Sequence, residues 1–308
     1  MQGVLGKFWE TIGTKLGERW LAVALPALLF WALGAAAYVH AHGTAGLADR
    51  AKSLRTQPLV LQVLALVAGL LVIAVSAQLV DWISQPVLRG LQGYWWPSLR
   101  LVRRYLTDRQ TRRLQPLQDR FDALAPLVAN GTADADQDGE YQRLDLELRR
   151  CPPRAALHMP TRLGMYLRAA ESEARDKYGL DAVKCWPHLW ALLPEQSRTD
   201  LQAAHAALHR SVTYVIWTAL ALVWAWWVPW LPPIALVLVW LLHRFSLLAN
   251  AAAYGDLFRA TVDLHRRALY TALCWPLPAT PAAERTAGEE LTEYLWRGGD
   301  RADVTFHT

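Results

Sequence analysis

Four apolar stretches constrain this chain more than any other feature. Residues 20–38, 59–80 and 212–230 contain no charged side chain, and residues 232–253 contain only His243 and Arg244 as ionisable groups. About twenty apolar residues in a helix match the roughly 30 Å of bilayer hydrocarbon. In hydrocarbon every backbone N–H and C=O needs a partner within the protein, so runs of this length take the α-helical form. The sequence therefore predicts an all-α integral membrane protein with four transmembrane helices in two hairpins and a helical cytoplasmic domain inserted between them. The expected boundaries are 1–19 for an amphipathic helix lying on the membrane surface, 20–81 for the first hairpin, 82–210 for the inserted domain, 211–255 for the second hairpin, and 256–308 for cytoplasmic amphipathic helices and a disordered tail.

The second hairpin turns within WAWWVPWLPP, residues 224–233, which sets Trp224, Trp226, Trp227 and Trp230 in seven positions. Pro229, Pro232 and Pro233 end one helix and start the next. Indole rings favour the headgroup level, so the four tryptophans read as an interface belt. The same turn carries no charge, whereas residues 82–210 hold 19 Lys and Arg against 15 Asp and Glu. By the positive-inside rule the middle domain and both termini are then cytoplasmic, with Arg50, Lys52 and Arg55 as an exception on the outer side.

A formal net charge of +5, from 32 basic and 27 acidic residues, follows from that asymmetry. The arginines at 100, 103, 104, 109, 112, 113 and 120 are not supported by interleaved stacking residues beyond the membrane edge, so no nucleic acid is expected as a partner. They fit a long amphipathic helix running on from the second span, with Tyr94, Trp95 and Trp96 as interfacial anchors. Cys151, Cys185 and Cys274 are odd in number and widely spaced, which suits neither a disulfide framework nor a zinc site and fits a reducing cytoplasm. Lysine occurs only at 7, 15, 52, 177 and 184. That arginine-weighted usage has the composition of a GC-rich bacterial genome and points to a bacterial inner membrane.

Capping signals outline the inserted domain. Thr161 suits an N-cap for a helix over 162–177, and Gly179 suits its left-handed stop. Pro194 opens a helix that continues through Arg210 into the third span. Thr280 and Pro281 open a last helix to about Trp296.

Candidate chemistry is sparse. No catalytic, cofactor-binding or metal-binding residue can be assigned, since the chain has no GxSxG, P-loop, HExxH or Rossmann glycine pattern. DADQDGEYQRLD, residues 134–145, places Asp134, Asp136 and Asp138 at the first, third and fifth positions of an EF-hand loop and Gly139 at the sixth. Asp145 is too short for the bidentate twelfth position and Tyr141 replaces the usual aliphatic residue, so the stretch reads as an acidic solvated linker. His205 and His209 stand four apart on a helix without a third ligand, and read as a solvated face. His243 and Arg244 differ, because they fall deep in the fourth apolar run, where ionisable groups face a protein interior, a partner or water. With Gln78, Asp81, Asn250 and Asp256 they form the candidate intramembrane polar site, Asp81 and Asp256 being the acids best placed to pair with Arg244; Ser76 belongs to the same reading.

Two further segments, MPTRLGMYLRAAE (159–171) and YGLDAVKCWPHLW (178–190), resemble a family of multi-span membrane proteins of high-GC, actinobacterial-type bacteria with the pattern PTxLGNxLRAAE followed by YGLDAVxxWPRL. Met165 replaces the pattern's Asn and His188 its second Arg. The resemblance implies a helical pair, 160–177 and 181–193, on the base of the third span, and no particular activity. Two functions remain open: a membrane-anchored scaffold presenting the helical domain to a cytoplasmic protein partner, and a homo-oligomeric channel or transport module with His243 and Arg244 in its path. The lipid bilayer is the common partner of both, and no cofactor is expected.

Overall fold

The computed structural model describes residues 24–43 and 56–298, and every regular element among them is helical. In chain order these are α1 (Ala24–His42), α2 (Leu59–Gln92), α3 (Arg100–Ala129), α4 (Ala135–Arg149), α5 (Arg162–Tyr178) and α6 (Ala182–Leu192). Then come α7 (Glu195–Leu220) with the 3-10 turns Ala221–Trp226, α8 (Leu231–Leu241), a π-helical turn (Leu242–Leu247), α9 (Leu248–Ala272) and α10 (Pro281–Arg297). Four helical stretches are long and apolar enough to cross a membrane: Ala24–His42, one that begins at Leu59, Glu195–Trp226 and Leu231–Ala272. The surface helix expected at 1–19, the Arg50, Lys52 and Arg55 cluster and the expected disordered tail beyond residue 298 lie outside the described residues.

The chain divides into two compact units, Met1–Val87 with His209–Ser246, and Leu88–Leu208 with Leu247–Thr308. In the first, α1 turns its small residues Ala24, Ala27, Gly34 and Ala37 inward, and all four are buried. Small residues let helices approach closely where no water drives them together. On α2 the apolar side chains from Leu59 to Val75 stay largely exposed, and contact with α1 starts where Trp31 Nε1 donates to Ser76 Oγ at 3.2 Å.

The uninterrupted amphipathic helix expected after the second span is broken. Gly93 takes φ +99°, and Pro97 holds Trp96 extended at φ −60°, ψ 155°. A proline disfavours helical geometry in the residue before it, so α2 ends at Gln92 and α3 starts afresh.

In the second unit, the Thr161 hydroxyl accepts from Gly164 N at 3.0 Å, and Gly179 ends α5 at φ +71°. The Asp181 carboxylate accepts from Val183 N and Lys184 N, at 3.1 and 3.3 Å, to start α6. Thr280 caps α10 through Ala283 N. Helices α5 and α6 pack chiefly on α9 and α10, around a core that includes Leu180, Leu189, Leu201, Leu269 and Leu291. Close approaches fall at glycines, Gly179 against the Arg285 carbonyl among them. A Cβ on Gly164 would strike the Gln92 carbonyl, and one on Gly288 the Tyr178 carbonyl.

The acidic stretch 134–145 is a helix start, not a linker. Asp134 accepts from Gln137 N at 2.7 Å while the Gln137 side chain accepts from Asp134 N at 3.1 Å, a reciprocal capping box. Asp136 and Asp138 fall in the first turn, where carboxylates favour the positive end of the helix dipole. Gly139 lies within α4, away from the left-handed backbone region.

Candidate functional site

The residues expected to form an intramembrane polar site are divided by the fold. Arg244 and His243 lie in the π-helical turn, about 18–20 Å along the helix from its start at Leu231. Arg244 is exposed, its guanidinium 5.6 Å from the Phe245 ring centre, and no carboxylate pairs with it among the described residues. Gln78 is also exposed. Asn250 Nδ2 donates to Ala207 O at 3.4 Å. Asp256 is paired at 2.8 Å with Arg259, one turn further along α9.

Asp81 also pairs elsewhere, and its partner corrects the reading of His209 as part of a solvated face. His209 Nε2 lies 2.5 Å from Ser84 Oγ and 3.9 Å from Asp81 Oδ1. Ser84 is fully buried, and its hydroxyl proton goes to Asp81 O at 2.6 Å. The Ser84 oxygen must therefore accept, and His209 Nε2 carries the proton it donates. A serine nucleophile requires the reverse, a histidine nitrogen that takes the serine proton with its other nitrogen held by the acid. Here serine and acid address the same nitrogen, and the trio joins α2 to α7. A second hydroxyl pair, Ser211 and Ser246 at 2.9 Å, ties α7 to the π-helical turn.

The tryptophan turn separates into two pairs. Trp226 is 90% exposed and Trp230 is exposed too, as an interface belt requires. Trp224 and Trp227 instead turn inward and stack at 5.4 Å with planes 15° apart. Trp224 meets Phe30 at 5.2 Å and fills the space over Gly34, where a Cβ would collide with the indole. Trp227 packs edge-on against Tyr38 at 5.5 Å.

In the second unit a charge network lies among α4, α5 and α9. The Arg259 side chain is 3% exposed, pairs with Glu173 and Asp256, and donates to Arg149 O at 3.0 Å. Glu173 also holds Lys177 at 2.5 Å, and Lys177 reaches Asp263, which accepts from the Tyr178 hydroxyl at 2.9 Å. Burial, then the bond to Asp263, pushes the Tyr178 phenol up to about 12, so it stays a donor. A cavity of about 700 Å³ opens beside this network, with Asp119, Asp145, Cys151 and His158 in its wall. Burial pushes the Cys151 thiol up to about 11, which withholds the thiolate that a nucleophile or metal ligand needs. Both ring nitrogens of His158 are engaged, by Thr111 at 2.8 Å and Pro152 O at 3.1 Å.

Sequence reasoning missed an aromatic cleft of about 470 Å³ between α6, α7 and α9. Trp186 and Trp190 stand 5.8 Å apart, and Tyr254 meets His205 edge-on at 5.8 Å across the opening. The i, i+4 tryptophans of WPHLW were visible, but nothing local announced that Tyr254 would close the wall. Among the described residues no three His, Cys, Asp or Glu side chains converge as metal ligands would. Comparison with protein-family models, with curated proteins and with solved structures finds no match to this chain.

Proposed function

We propose that this chain is a membrane-anchored scaffold of the bacterial inner membrane. In this reading the four spans form two hairpins that tether the helical unit, with both termini, at the cytoplasmic face, where it meets a protein partner. The observation that carries it is the dispersal of the intramembrane polar residues: Asp81 joins His209, Asp256 joins Arg259, and Arg244 and Gln78 are exposed. The likeness to the PTxLGNxLRAAE family supports a shared architecture more than an activity. Its Thr161, Gly164, Gly179 and Asp181 serve here as caps and close approaches.

Orientation is tested by single cysteines in a cysteine-free background, at Ala45, Leu231 and Gln142. An impermeant maleimide added to intact cells should label the first two and spare the third, and labelling at Gln142 would reverse the topology.

One observation favours the alternative of a homo-oligomeric channel. An unpaired, exposed arginine sits in a π-helical turn of a span, and such turns are frequent at functional sites. Several copies could place Arg244 around a shared axis. The deciding measurement is ion flux into liposomes at two pH values for wild type and Arg244→Glu. The scaffold reading expects none in either, whereas flux that changes with the substitution would replace it with the channel.

A further inference from the structure

Between Asp81 and Asp108 the chain holds four arginines, Arg89, Arg100, Arg103 and Arg104, and no acid, and beyond Asp108 come Arg109, Arg112 and Arg113. The start of α3 within this stretch is uncovered. Every residue from Trp96 to Tyr105 is exposed, the apolar Trp96 at 82%, Leu101 at 79% and Tyr105 at 69% included. Half-burial begins only at Leu106, and α4 meets α3 further on, through Arg113 with Glu147, Arg120 with Glu140 and Phe121 with Tyr141. Among the described residues no carboxylate pairs with Arg100, Arg103, Arg104, Arg109 or Arg112.

The uncovered turns stand on a fixed elbow. Trp95 Nε1 donates back to Gly90 O at 2.7 Å, and Tyr94 N donates to Arg89 O at 3.0 Å. Gly93, at φ +99°, lies so close to Pro160 that a Cβ would collide with its ring.

Helical spacing sorts the exposed side chains. At 3.6 residues per turn, Leu101, Tyr105 and Val102 share an arc of about 100°, and Arg112 and Arg109 continue the same arc two turns later. Arg100, Arg103 and Arg104 fall on the other side. One face thus runs from apolar to basic along its length. A second copy fits it poorly, because a two-fold pairing makes each contact twice. Parallel helices would set arginine on arginine, and antiparallel ones would set Arg109 and Arg112 on leucine and valine. An anionic bilayer surface accepts both halves, since apolar side chains enter the headgroup boundary and arginines hold the phosphates around them. It also lies within reach, because α3 follows the elbow that ends the membrane-length helix α2.

We propose that the exposed start of α3 docks on the anionic headgroup surface of the bilayer, with Leu101, Val102 and Tyr105 inserted and Arg109 and Arg112 on lipid phosphates. This rests on the scaffold reading, in which α2 is a span and the helical unit is cytoplasmic, and it adds a second hold on the membrane that depends on lipid charge. Each arginine beside an anionic leaflet favours contact by about fivefold.

The test places single nitroxide labels on the full chain in a cysteine-free background, through Leu101→Cys, Arg103→Cys or Leu66→Cys, and measures collisions with a water-soluble nickel complex. Vesicles of phosphatidylcholine are compared with vesicles that also contain phosphatidylglycerol. Collisions at Leu101 should fall about fivefold or more in the anionic vesicles, while Arg103, on the opposite side, stays open. Replacing Arg109 and Arg112 together by Gln should return Leu101 to its neutral-vesicle value. These substitutions fall on exposed positions, and Leu66 on α2 should be shielded in both vesicles. Equal collisions at Leu101 in the two vesicles, or shielding that survives the double Gln variant, would overturn the proposal. With Leu66 shielded, that result leaves the membrane reading standing; a Leu66 label open to nickel would remove both. Magnetic broadening between Leu101 labels that vanishes on dilution with unlabelled chain would assign the face to a second copy and also overturn it.

Discussion

The two units solve the problem of cohesion in opposite ways. In the membrane unit the tightest contact exists because a side chain is missing: Gly34 leaves room for Trp224, and the stacked indoles lock α1 to the turn. In the second unit an arginine with almost no water, Arg259, is held by two carboxylates and a carbonyl. A bilayer gives little reward for burying apolar surface between helices, so shape must supply the cohesion there. A charge can be buried as long as each of its partners is present.

Breaking each lock should reveal the difference. The largest effect is expected for Arg259→Ala, which removes the buried partner of Glu173 and Asp256 and the donor to Arg149 O and should cost the second unit about 2–4 kcal/mol, with amide exchange rising in α5 and α9. Arg259→Met, which keeps the stem, should lose less. A cost under about 1 kcal/mol for the alanine variant would mean that the network is ornamental. Gly34→Leu should cost about 1–3 kcal/mol by overpacking against Trp224. Its exchange signature should stay within α1, α8 and the turn; spread into α5 and α9 would show that the units do not hold separately.

The smallest effect concerns Glu171, whose carboxyl is pushed above the usual range by burial, more than the Arg168 bond lowers it. The folded state thus keeps the proton longer than the unfolded chain, and stability contributed by the protonated acid is lost as pH rises from about 4 through the raised value. Glu171→Gln should therefore match wild type near pH 4 and melt slightly higher at pH 7. A variant that melts lower at pH 7 than at pH 4, relative to wild type, would show that the Arg168 bond outweighs burial.

What could be read from the chain was what is encoded locally. Apolar length marked the four membrane-compatible helices, and cap residues such as Thr161, Gly179 and Thr280 marked helix ends, because each acts on neighbours within four positions. The break at Gly93 was equally local and was overlooked beneath a convincing arginine periodicity. Asp134 was also legible as an N-cap, but its resemblance to a calcium loop drew attention first. The site pairings were another matter. Asp81 with His209, Trp224 with Gly34 and Tyr254 with His205 join residues far apart in sequence, and periodicity says which face is apolar, not what will meet it. Arg244 was singled out by depth in the helix, which is legible, whereas the acids assigned to it had nearer partners in the fold.

The second unit is discontinuous in sequence, and that has a consequence for its manufacture. Its first segment, Leu88–Leu208, leaves the ribosome well before its second, Leu247–Thr308, and the stretch 209–246 emerges in between. Until α9 and α10 are synthesised, Glu173 has no Arg259, the Tyr178 carbonyl has no Gly288 beside it, and the faces of α5 and α6 that those helices cover stand open. The newborn chain must carry that unfinished surface while a pair of membrane-length helices is being delivered to the bilayer, and partly made domains of this kind are the ones most exposed to aggregation. Completion of the fold is thus tied to the last sixty residues, and a stalled or truncated product forfeits the domain as well as its tail.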